Sequence, residues 1–164
     1  MKKLQKGFTI IEVALVLAVG ALIFLVVFLA VPALQRNQQN DARKRDQSQV
    51  VEAITSYISN NPTESIIHSK GDIYVVGKEL KNKMSAYIGN LSTSTESVKV
   101  VDNDVSIASS HEDQLNQKKT IYVVAGHTCK RNNKDIERGA VRQAAVLAFV
   151  ETATGLDKVC VTAN

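Results

Sequence analysis

The chain has 164 residues, one domain's worth, with 45% apolar and 22% charged residues, a balance that excludes a disordered polyelectrolyte. Its formal charge of +4 does not mark a nucleic-acid binder, because Lys2, Lys3 and Lys6 supply three of those charges ahead of an apolar run and without them the value falls to +1. The apolar residues are spread unevenly: residues 8–34 hold a single charge, Glu12, and nearly all other charged residues follow Gln35.

Residues 13–34 are 22 consecutive uncharged positions. As a helix they span about 33 Å, enough to cross a hydrocarbon core of about 30 Å. Lysines on the N-terminal side predict a cytoplasmic N-terminus and an exported remainder. Three kinds of segment fit this pattern: a secretory signal, a plain single-pass anchor, and a leader cut ahead of the apolar run. The apolar stretch is too long for a conventional signal and passes without a break into a polar helix. Glu12 speaks against the plain anchor, because a carboxylate at the centre of an inserted helix costs about 2.5 to 3.5 kcal/mol. No Lys or Arg lies between Phe8 and Gln35 to pair with it, which leaves snorkelling toward the interface or a partner from elsewhere.

Lys6-Gly7-Phe8-Thr9-Ile10-Ile11-Glu12-Val13, preceded by a short basic leader and followed by some twenty apolar residues, resembles the cleavage and assembly motif of type IV prepilins. The resemblance covers about the first 35 residues. It implies a membrane peptidase that cuts between Gly7 and Phe8 and methylates the new amine of Phe8, leaving a mature subunit of 157 residues. It further implies a helical homopolymer built on the apolar helices, in which the Phe8 amine pairs with Glu12 of a neighbour and sets the register of docking. Gly20 and Pro32 disfavour an unbroken helix. In the family part of this helix melts on assembly, ending near a proline; here Pro32 either marks that end or kinks the helix at the membrane surface.

Beyond Leu34 the chain turns polar without a turn signal, and apolar positions at Ala42, Val50, Ala53, Ile54, Tyr57 and Ile58 recur at helical spacing. A helix therefore runs from Phe8 to about Ser59, stopped by Asn60-Asn61-Pro62. The expected organisation is a leader at 1–7, a transmembrane and filament-core helix at 8–34, an amphipathic continuation at 35–61 and a globular head at 62–164. In the head, residues 73–76 form a short strand and 78–88 a helix stopped by Gly89-Asn90. Ser92 to Thr95 form a polar loop open to O-linked modification, and 98–101 with 105–108 form a hairpin around Asp102-Asn103-Asp104. Strands follow at 121–125, 144–151 and 158–162, the last two joined at Thr154-Gly155. The fold class is α+β: a long N-terminal helix packed on a small sheet of about four antiparallel strands.

Cys129 and Cys160 lie in the exported head, where two cysteines pair as a disulfide, or remain reduced if the envelope is not oxidising. The bridge closes 32 residues counted inclusively, worth about 3 to 4 kcal/mol by loop entropy. A disulfide toward the C-terminus also agrees with the pilin resemblance. Within the loop, Lys130, Arg131, Lys134, Arg138 and Arg142 form either a solvated charged edge or a surface that touches DNA, a host or another cell when repeated along a filament. Asp102-Asn103-Asp104 offers oxygen ligands but lacks the glycine and distal glutamate of a calcium loop. His68, His111 and His127 show no metal-ligand spacing, and no phosphate loop, nucleophile elbow or paired-carboxylate motif is present, so neither enzyme, metal nor cofactor is expected.

Three functions compete at this point. The first is the major pilin of a surface filament for adhesion, motility or DNA uptake, held in the cytoplasmic membrane before assembly and at the cell surface after it. The second is a pseudopilin of a secretion or competence system, and the third a plain membrane-anchored binding protein.

Overall fold

The computed structural model describes residues 7–64, 66, 71–78 and 83–164. It forms two compact units, Met1–Gln38 and Gln39–Asn164. Helix α1 (Ile10–Asn60) contributes to both. From Val13 to Leu34 its face is uncharged all round, with exposed apolar side chains, and the helix is long and apolar enough to cross a membrane. It continues through Gly20 and Pro32 as helix.

In the second unit α1 buries Arg43, Asp46, Gln47, Val50, Ala53, Ile54, Tyr57 and Ile58. The apolar members of this stripe meet a five-stranded sheet of order β1-β2-β3-β6-β7. The strands are β1 (Gly71–Val75), β2 (Ser97–Val101), β3 (Thr120–Ala125), β6 (Ala144–Thr152) and β7 (Gly155–Ala163). Two short strands, β4 (His127–Cys129) and β5 (Ile136–Arg138), pair as a separate hairpin. Strand β6 is buried from Ala144 through Val150, as expected for a strand covered on both faces. Val146 and Ala148 join the core under α1, whereas Ala145 and Leu147 pack in a second cluster with Val124 and Cys160.

The architecture is α+β as expected, with strands at each of the places read for 73–76, 98–101, 121–125, 144–151 and 158–162. Three local expectations change. The hairpin of 98–101 with 105–108 does not form. Instead β2 pairs β3 in parallel, and the connection between them carries α2 (His111–Lys118), a crossover of the kind parallel neighbours require. The physical reason lies in two glutamines of α2. Gln117 accepts from Ala108 N and donates to Ser106 O, and Gln114 donates to Ala108 O, so three backbone groups of this segment are bonded to side chains rather than to a partner strand. Second, the described part of the helix expected at 78–88 is a single 3-10 turn, Lys83–Tyr87, with Met84 buried; residues 79–82 lie outside the described residues. Third, Thr152 pairs Gly155, so the two-residue turn between β6 and β7 is Ala153-Thr154, with Gly155 at φ 132° opening β7.

Candidate functional site

The N-terminal segment is built from Thr9 upward. Helix α1 begins at Ile10, and the Thr9 carbonyl accepts from Val13 N, which makes Thr9 the N-cap and Glu12 the third helical residue. Thr9 N and Thr9 Oγ1 both donate to Glu12 Oε2, at 2.8 and 2.9 Å, while Glu12 N donates back to Thr9 Oγ1 at 3.3 Å. This is a reciprocal capping box, Thr-x-x-Glu ahead of an apolar run. The partner sought for Glu12 among cations is thus, within this chain, a neutral threonine three residues earlier. Thr9-Ile10-Ile11-Glu12 carries this helix-start signal in the sequence itself, beside the charge that points to an ionic partner. Both donors end on Oε2, which leaves Oε1 without a hydrogen bond among the described residues.

The box keeps Gly7 and Phe8 outside the helix, both exposed. A Cβ built on Gly7 meets nothing within 4 Å among the described residues, so their packing does not demand glycine there. Phe8 is 88% exposed and heads a run of exposed apolar side chains through Leu34. Lys2, Lys3 and Lys6 lie outside the described residues.

Where α1 enters the head, polar side chains hold it before the apolar stripe begins. The Asn40 amide donates to Glu151 O at 2.7 Å and accepts from Glu151 N at 2.9 Å, imitating a strand partner at the end of β6. Gln47 donates to Val146 O and Val159 O on neighbouring strands, and Asp46 accepts from both the backbone and the hydroxyl of Ser92. Arg43 is 4% exposed; burial pushes its guanidinium below the ordinary arginine range, opposed by the nearby charge of Glu151. Of the polar loop expected at Ser92 to Thr95, Ser92 is bonded to Asp46, Thr95 is buried, and Thr93 stands exposed.

Cys129 and Cys160 form a disulfide with Cα atoms 5.7 Å apart. It fastens the β4-β5 hairpin to the outer edge of β7, where Asn133 O accepts from Cys160 N and Thr162 Oγ1 accepts from Cys129 N. The basic residues of the loop separate into different roles. Lys134 pairs with Asp157 at 2.8 Å and holds that carboxyl below the usual carboxylate range. Arg142 donates to Ile58 O and Pro62 O, capping the C-terminal end of α1. Lys130, Arg131 and Arg138 are exposed and hold no ion pair among the described residues.

Asp104 pairs with Lys158 at 2.9 Å, and among the described residues no group of His, Cys, Asp and Glu could hold a metal ion. Asp102 and Asp104 line an open groove with Asp72 and Lys99. His127 Nδ1 lies 2.9 Å from Ala125 O; His68 is outside the described residues.

Residues 2–28 match the family model of the prokaryotic N-terminal methylation motif. No curated protein matches the chain, and no solved structure does. The chain therefore carries the N-terminal motif of type IV pilin-like proteins and pseudopilins on a helix able to span a membrane.

Proposed function

We propose that the chain is the precursor of a type IV pilin-like subunit, inserted in the cytoplasmic membrane by α1, cut between Gly7 and Phe8, methylated at Phe8 and polymerised through α1 into a surface filament. The observation that carries this reading is the methylation motif over residues 2–28, placed where Glu12 is the lone charge of residues 8–34. Membrane insertion alone gives no reason for that carboxylate to persist. A helical polymer does. Cutting ahead of Phe8 creates an ammonium, and in the apolar core of a filament an ammonium and a carboxylate from adjacent subunits are each badly placed alone and tolerable together. The capping box supports the same reading, since Oε2 is engaged by Thr9 while Oε1 is available to a neighbour's amine. Partners are then copies of the chain itself, the processing peptidase and the assembly machinery. The head is structural in this reading, presented on a filament serving as a major pilin in adhesion, motility or DNA uptake.

Glu12→Val tests it. The substitution removes a charge from the span, so membrane insertion and removal of the leader should be unchanged. Filaments should be lost or reduced at least about tenfold, because the Phe8 amine has no partner in the core. Filaments at normal abundance from the Glu12→Val subunit would refute the charge pair as the assembly device.

A further inference from the structure

At the base of the β4-β5 hairpin lies a cavity of about 310 Å³ that the filament reading leaves unused. His127 and Arg138 are direct cross-strand partners, so both side chains stand on the same face of the hairpin and both line the cavity. Their frame is fixed by backbone. Gly139 N donates to Gly126 O at 2.9 Å and Gly126 N donates to Gln143 O at 2.8 Å. A Cβ on Gly139 would stand 2.7 Å from Thr128 Cγ2 and 2.8 Å from Gln143 Oε1, so a side chain there would force these two to shift. The disulfide fastens the same hairpin at Cys129, two residues along β4 from His127.

The polar groups converge on one kind of ligand. Arg138 offers a planar fork of donors suited to a carboxylate and holds no ion pair among the described residues. His127 Nδ1 faces the Ala125 carbonyl, which only accepts, so Nδ1 carries the hydrogen and Nε2 is the ring atom left for a ligand. In the neutral ring Nε2 accepts from a hydroxyl; in the protonated ring it donates to a carboxylate. Asp102, on the loop after β2, lines the same cavity, and its negative charge disfavours a dianion. The volume lies at the small end of ligand pockets, the size of a single sugar ring.

We propose that this cavity binds a hydroxylated monocarboxylate of sugar-acid size, with Arg138 clasping the carboxylate and His127 engaging a hydroxyl group. The site lies wholly in the head and does not depend on polymerisation; repeated along a filament it would add avidity for carboxylated polysaccharide.

The test is calorimetric titration of the full-length chain in detergent micelles with glucuronate, glucose and inorganic phosphate. Glucuronate should bind saturably and glucose should not. Arg138→Gln should weaken glucuronate at least about tenfold, the loss of a charge-assisted pair. Arg138→Lys should fall between, keeping the charge without the fork, and His127→Gln should weaken binding as well. Lys130→Gln and Arg131→Gln, outside the cavity, should leave it unchanged. Circular dichroism and the absence of free thiols identify folded variants; both Arg138 substitutions alter an exposed side chain. Absence of saturable binding, or unchanged binding in folded Arg138→Gln, would overturn the site. Phosphate binding as tightly as glucuronate would overturn the carboxylate assignment.

Discussion

At the residue scale, Gly7 separates a folding requirement from a processing one. Among the described residues nothing stands within 4 Å of a Cβ at this position, so a Gly7→Leu chain should reach the membrane with normal yield. A peptidase that accepts glycine at the scissile bond should leave it uncut, seen as a band retaining residues 1–7 on immunoblots. Full processing of Gly7→Leu would remove the reason for glycine at this position. Thr9 and Glu12 show what a local reading can reach and miss: the apolar run and its single charge are plain in the sequence, and so is Thr-x-x-Glu, a helix-start pattern. Asp157 gives a pH signature. Its folded carboxyl titrates below the ordinary range because Lys134 donates to it, so its contribution is complete above the ordinary carboxylate range and fades as pH falls through the lowered folded value. Asp157→Asn should cost at most about 1 kcal/mol at pH 7 for this partly exposed pair. The difference from the unaltered chain should vanish in strong acid, read by chemical denaturation at both pH values.

At the element scale, the disulfide and Arg142 hold the two ends of the loop that spans β4 to β6. Replacing both Cys129 and Cys160 by serine should lower stability by about 3 to 4 kcal/mol in the loop-entropy account. It should also raise hydrogen exchange at Cys160 N, whose acceptor Asn133 O sits in the bridged hairpin. Arg142→Gln should cost about 1 kcal/mol in denaturant unfolding, through lost cation bonds to the carbonyls at the end of α1. Arg142 read as one more member of a basic edge because its partners, Ile58 and Pro62, are more than 75 residues away in sequence and no spacing rule connects them. The crossover was hidden for a different reason. Val98 to Val101 and Val105 to Ala108 flank an Asp-Asn-Asp triplet that suits a turn, and only the glutamines of α2 show that Ser106 and Ala108 bond to side chains instead.

At the scale of the whole molecule, the membrane-length helix, the α+β head and the five main strands were legible because hydrophobic run length and alternation are local properties. The order of strands and the parallel β2-β3 pair were not, since neighbours in a sheet are chosen by long-range packing. Nor was the polar clamp of Asn40, Arg43, Asp46 and Gln47, because polar residues on a helix read as a solvated face until a sheet is placed against them. Gln39 opens the compact head unit, and that clamp belongs to it. The central claim, that the chain is a processed filament subunit rather than an anchored protein, rests on the fate of its first seven residues. Mass spectrometry of the N-terminal peptide from filaments sheared off the cell surface tests this directly. The account predicts a peptide that begins at Phe8 and carries one methyl group on its amine; a surface protein that retains Met1 to Gly7 would contradict it.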